Sequence, residues 1–194
     1  MLFALDQPSL MSSEPGAPIG LFFSVFPDPQ TAGRIALIAQ DLRGEYKLKG
    51  RPLLPTRFHC SLYGFDRDVV SRTVVARAQE AASIVTASPF RVSFNCVRSF
   101  SNRPGHHPLV LVGDDGVVGL VRLHTSLCRA MREVGLRPRE CSNFTPHLTL
   151  LYDARHVDEE PIESIGWIVS EIVLVLSLIG RTKHIPLGRW QLHI

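Results

Sequence analysis

Residues 57–63, RFHCSLY, and residues 144–152, FTPHLTLLY, are two short runs in which a histidine is followed two places later by a hydroxyl residue and then by leucine. Short β-branched and apolar runs of this kind predict strands, and in a strand side chains two apart project from one face. His59, Ser61 and Tyr63 would share a face, as would His147, Thr149 and Leu151. Cys60 and Leu62, and Leu148 and Leu150, would pack behind them. Pro146 restricts Thr145 to extended geometry, as the start of a strand requires. A third match, His124-Thr125-Ser126, falls inside the amphipathic pattern Gly116 to Val134. There, residues two apart diverge by about 200°, so it reads as accidental.

The two motifs lie nearly half a chain apart in 194 residues, each after a helix and a proline-containing loop. This predicts an α+β fold: bilobal and pseudo-twofold, with antiparallel sheets lining a central cleft and helices outside. Strands are expected at Ile19–Phe26, Arg57–Tyr63, Phe90–Phe100, Leu109–Val112, Phe144–Tyr152, Ile168–Ile179 and Ile185–Ile194. The last two would be joined through Gly180-Arg181-Thr182-Lys183. Helices are expected at Pro29–Leu42 (Ile35, Leu37, Ile38 and Leu42 inward), Arg67–Ala87 and Gly116–Val134 (Val121 inward, Gly135 as C-cap). Asp158–Pro161 reads as a short acidic linker. Strands and helices do not alternate cleanly, which excludes a doubly wound parallel sheet. Residues 1–17 read as a flexible tail and 18–194 as one domain of two lobes.

Composition narrows the function classes. The chain is 45% hydrophobic and 20% charged, with a net charge of +3, which suits a globular protein and tolerates an anionic ligand. It carries no basic stripe for a long duplex, no apolar run long enough for a membrane helix and no secretory leader. The reading is cytoplasmic, monomeric and not membrane-bound. Cys60, Cys96, Cys128 and Cys141 show no Cys-x-x-Cys spacing and read as buried free thiols.

Two histidines can divide acid–base work on a phosphate, one taking a proton while the other gives one. A neighbouring hydroxyl can hold a non-bridging oxygen. Such chemistry needs no metal or cofactor, and the sequence shows neither a zinc pattern nor a carboxylate cluster. Asp114-Asp115 reads as a helix cap. His106 and His107, in a polar turn, are weaker candidates for a phosphate or ribose contact. Candidate substrate-binding cations are Arg98, Arg103, Arg181 and Lys183, and Tyr63 or Phe65 could stack on a base.

On these motifs, on the opening IGLFFSVFPD, and on the closing EIVLVLSLIGRTKHIPLGRWQL, the chain resembles the 2H phosphoesterases, within them the 2′-5′ RNA ligase-like or RNA 2′,3′-cyclic phosphodiesterase family. The resemblance implies opening of 2′,3′-cyclic phosphodiesters, on RNA ends or nucleotides, to 2′-phosphomonoesters, with 2′-5′ RNA joining as a further capacity. It implies His59 as proton donor to the 3′ oxygen, His147 as the base, and Ser61 and Thr149 as phosphate-binding residues. Ser61 stands where the family usually has Thr, which keeps the hydroxyl but loses a β-branched rotamer. Two alternatives stand beside this: a non-catalytic RNA- or nucleotide-binding module, and an esterase for a small cyclic nucleotide.

Overall fold

The computed structural model describes residues 19–66, 70–101, 104–138, 141–178 and 183–193. The expected tail at 1–17 lies outside them. In chain order the elements are β1 (Ile19–Val25), α1 (Pro29–Glu45), β2 (Cys60–Phe65), α2 (Arg72–Ser83), β3 (Phe90–Ser99), β4 (His107–Val112), α3 (Val118–Glu133), β5 (Leu148–Asp153), β6 (Glu160–Val169), β7 (Glu171–Leu178) and β8 (Lys183–Gln191).

The strands make two four-stranded sheets, β2-β1-β7-β8 and β5-β4-β3-β6, every pairing antiparallel. The internal echo expected from the motifs is explicit in this order. In one sheet β1 runs through α1 to its neighbour β2; in the other β4 runs through α3 to its neighbour β5. Both second strands are edge strands. Both also carry a register shift at the same place: Leu62 is the extra residue of β2 between the pairs Phe23↔Tyr63 and Ser24↔Ser61, and Leu150 that of β5 between Leu109↔Leu151 and Val110↔Thr149. The motif leucine is therefore a bulge residue in both halves, where the strand bends and twists more strongly.

Each helix follows from local chemistry. Asp28 caps α1, its carboxylate accepting from the Thr31 backbone N–H at 2.9 Å and the Thr31 hydroxyl at 2.7 Å. Ala32, Ile35, Ala39 and Leu42 then form one buried stripe. Leu37 is 61% exposed, not inward as expected, because it sits two places from Ile35 on the opposite side of the helix. In α3 Leu120, Leu123, Leu127 and Met131 are buried while Val121 lies 40% exposed, a second correction of the same kind. Gly135 ends α3 in the left-handed conformation (φ 80°) that a C-cap needs.

Three other expectations fail for identifiable reasons. α2 begins at Arg72, later than the apolar pattern suggests, because the Ser71 hydroxyl caps it on the Val74 N–H. Asp114 is no side-chain cap; its carboxylate instead accepts from Asn95. The supposed linker at Asp158–Pro161 opens a ten-residue strand, β6, whose Ile165, Trp167 and Val169 face inward. Acidic residues on the outer face of this edge strand masked the alternation, and such charges discourage pairing with other chains.

Two of the cysteines are not free: Cys128 on α3 and Cys141 in the loop before β5 form a disulfide. Cys60 and Cys96 are free, and burial pushes the Cys60 thiol far up. Among the described residues no helix is long and apolar enough to cross a membrane.

Candidate active site

The motif histidines stand just outside the strands expected to contain them. A single 3₁₀ turn at Pro55–Arg57 delays β2 until Cys60, and β5 begins at Leu148. Each histidine is thus the last residue before an edge strand, where the backbone no longer has a ladder partner. That position leaves a carbonyl free for the ring. His59 Nδ1 lies 2.7 Å from the Arg57 carbonyl oxygen, and His147 Nδ1 lies 2.8 Å from that of Thr145. A carbonyl can only accept, so Nδ1 carries a proton in both rings, and Nε2 is the nitrogen left for chemistry. The two halves use the same bond, from a ring to the carbonyl two residues back.

The environments of the rings are alike too. Burial holds the pKa of His59 below the ordinary histidine value. The bond to Arg57 opposes that, and the Arg57 guanidinium and the His147 ring add to it. Burial likewise lowers His147, opposed by its bond to Thr145. The influence of His147 on His59 means that the imidazoles are close enough for one charge to disfavour the other.

Aromatic rings fix both imidazoles. Phe22 stacks on His59 at 5.1 Å between centroids, and Phe26 leans on it at 5.8 Å. Phe100 meets His147 edge-on at 4.9 Å. The Ser61 and Thr149 hydroxyls, two residues past each histidine, are half-buried. A cleft of about 530 Å³ joins the halves, lined by Ser61 and Tyr63 from the first motif, by Phe144, Thr145 and His147 from the second, and by Asn143 just before it; His59 and Thr149 are not among its lining residues. Across the sheets Ser61 pairs with the fully buried Ser24, while Thr149 pairs with Val110 and through it with Arg98.

The remaining candidates separate. Arg98 lies in register with Thr149 through Val110, its guanidinium 5.2 Å from the Phe100 ring and 3.0 Å from Glu159. Arg103 and Arg181 lie outside the described residues, and Lys183 opens β8 with its side chain outside them. His106 stacks on Tyr152 and His107 meets His156, so both have protein partners. Tyr63 meets Phe65 edge-on.

Sequence reasoning missed two histidines. His184 on β8 meets His59 edge-on at 5.4 Å and Phe22 at 5.4 Å. Only strand pairing brings it there, Ser177 of β7 lying between its strand and Gly20 of β1. His124, whose motif match falls inside α3 as the helical pattern predicts, is a buried helix residue. It also stacks on Phe144 at 4.2 Å, lines the cleft, and has Nε2 3.6 Å from Cys128 Sγ.

Two antiparallel sheets presenting matched imidazole–hydroxyl pairs define the architecture of a two-histidine phosphoesterase. The model of the 2′-5′ RNA ligase superfamily matches residues 27–177, and the chain belongs to that superfamily of 2H phosphoesterases. An RNA 2′,3′-cyclic phosphodiesterase of Archaeoglobus fulgidus is 30% identical over 130 residues, covering 67% of this chain and 70% of its own length. Among solved structures, E. coli LigT complexed with 3′-AMP superposes with a TM-score of 0.72 at 22% identity, over 91% of this chain and 99% of its own. TT0787 of Thermus thermophilus gives 0.71 at 18% identity, over 89% and 97%. At these identities the structures bear on fold alone.

Proposed function

We propose that this chain opens 2′,3′-cyclic phosphodiesters, on RNA ends or on nucleotides, to 2′-phosphomonoesters without a metal ion. The observation that carries the reading is the matched pair of Nδ1 bonds. They orient two imidazoles alike and reserve both Nε2 atoms for proton transfer. His147 Nε2 takes the proton of the attacking water as its oxygen bonds to phosphorus. The bond from phosphorus to the 3′ oxygen breaks, and His59 Nε2–H delivers the proton that this oxygen needs. The division of roles follows the family resemblance. Ser61 and Thr149 donate hydrogen bonds to the non-bridging oxygens, where charge grows.

The lowered pKa values fit this scheme. In the free protein burial disfavours an imidazolium, and a bound phosphodiester anion supplies the opposite charge that stabilises one. Each proton-transfer group is worth about 10²–10⁴ in rate. A 5′-hydroxyl could attack in place of water, which would join two RNA ends through a 2′-5′ bond by the same steps.

The test is incubation of the purified chain with adenosine 2′,3′-cyclic phosphate and with a cyclic-ended RNA oligomer, both in EDTA. The expected product is the 2′-phosphate alone, with turnover unaffected by the chelator. A 3′-phosphate product would reverse the assigned direction of bond breaking, and no turnover of either substrate would favour a binding module.

A further inference from the structure

The two halves match in their histidines but not in what stands opposite their hydroxyls. Thr149 on β5 pairs with Val110 on β4, an apolar residue, whereas Ser61 on β2 pairs with Ser24 on β1. Each pair sits beside the bulged leucine of its motif, so the two places are equivalent in the two sheets. Val110 and Ser24 are both fully buried. The difference is one of chemistry: a hydroxyl faces Ser61 where a hydrocarbon faces Thr149.

Ser24 lies under the catalytic ring of the first half. Phe22 and Phe26, two residues before and after it, both touch the His59 imidazole. Residues two apart in extended chain share a face, so Ser24 stands between them on the side of the ring. That place demands a small side chain, and alanine would be small enough. The hydroxyl needs a separate reason, because Ser24 Oγ is buried and has no hydrogen-bond partner among the described residues. A hydroxyl stripped of water and left unpaired lowers stability.

Ser61 is the group within its reach. Residues directly opposite in an antiparallel pair have Cβ atoms roughly 4.5–5.5 Å apart, close enough for cross-strand hydroxyl bonds once the side chains turn about χ1. Ser61 also needs holding. It is half-buried and lacks the second branch on Cβ that restricts threonine, so its hydroxyl samples three staggered positions. Thr149 carries that branch and does without a polar neighbour.

We propose that Ser24 is a positioning residue for the phosphate-binding hydroxyl of Ser61. The Ser24 O–H donates to Ser61 Oγ, which pins that oxygen and leaves the Ser61 proton free to donate to the non-bridging oxygen of the substrate. The first half thereby draws from a buried neighbour the rigidity that the second half draws from a β-branch. This rests on the function proposed above, in which Ser61 holds the phosphate. Ser24 itself touches no substrate.

The test is Ser24→Ala, followed by its thermal transition and by kcat on adenosine 2′,3′-cyclic phosphate. Deleting an unpaired buried hydroxyl should leave the transition where it is or raise it. Turnover should nevertheless fall about three- to tenfold, the order of one lost rotamer restraint and hydrogen bond, and through kcat because charge grows on the oxygen that Ser61 holds. An unchanged kcat overturns the proposal, and so does a loss accompanied by a lowered transition, which marks a structural role. Two backgrounds locate the effect. In Ser61→Ala the second change should cost nothing further, and in Ser61→Thr it should cost less than about twofold, because the β-branch restores the restraint. A full loss in either background overturns the link to Ser61. If the wild-type chain opens no cyclic phosphodiester, the catalytic reading fails separately, and the positioning is judged by calorimetric titration with inorganic phosphate. Binding weakened about threefold by Ser24→Ala, but not when Ser61 is already alanine, supports it. Equal affinities, or no binding, overturn it.

Discussion

Reducing the Cys128–Cys141 disulfide should both destabilise the chain and slow it. The two cysteines are 13 residues apart, and the bond closes the segment that leads from α3 into the second motif. Closing a loop of that length removes about 10 cal/mol/K of chain entropy from the unfolded state, or about 3 kcal/mol at room temperature. With a urea dependence of about 2–3 kcal/mol/M, the unfolding midpoint should drop by about 1 M. Just past Cys141 come Phe144, which stacks on His124, and the Thr145 carbonyl that orients His147. Turnover should therefore fall with stability, and kcat more than KM. Urea titrations of oxidised chain, reduced chain and Cys141→Ser, each paired with kcat, make the comparison. Cys141 is the better site because it is half-buried, whereas a hydroxyl at the fully buried position 128 would add its own cost. A midpoint shift under about 0.2 M would refute the tether, and an unchanged kcat would refute its link to His147.

The pH dependence of kcat/KM follows from the two lowered histidines. The acid needs its proton and the base must lack one, and burial places both titrations below the ordinary value of about 6.5. The maximum should lie on the acid side of that value and the alkaline limb should fall through neutrality; a profile still rising at pH 8 would contradict it. Gly50→Ala should unseat the loop that joins α1 to the 3₁₀ turn at Pro55–Arg57 from β5, because a Cβ there would meet the Tyr152 carbonyl oxygen at 2.0 Å. The loop is held by Gly50 N–H to Asp153 at 2.6 Å and Leu53 N–H to the Leu150 carbonyl at 2.8 Å. A loss of about 1–3 kcal/mol is expected in denaturant titrations. Asp28→Ala should cost about 1 kcal/mol through the lost α1 cap, with kcat unaltered.

How much of this was legible in the sequence depended on how local the signal was. The motif strands announced themselves because alternation and a preceding proline are properties of neighbouring residues. Helix stripes were readable as periods, although Leu37 and Val121 show that an apolar residue off the stripe is assigned inward by composition and outward by geometry. β6 was hidden because it is an edge strand with a charged face, and the local pattern resembled a linker. His184 and the disulfide were illegible for a different reason. Both depend on which distant segments meet, and strand order and loop closure leave no trace in residue spacing. The bonds from each histidine to the carbonyl two residues back were within reach of local reasoning, but only once the strands were known to begin one residue after each histidine.

The central claim, that His59 and His147 act as one acid–base pair, is tested most directly by kcat on adenosine 2′,3′-cyclic phosphate for His59→Asn, His147→Asn and the double variant. Asparagine keeps a donor near the position of Nδ1, so each variant can retain the carbonyl bond while losing Nε2. Each single change should lower kcat at least a hundredfold, and the double change should cost little more than either alone, because the pair works as a unit. Near-full activity in either single variant, or losses that multiply in the double, would contradict the account.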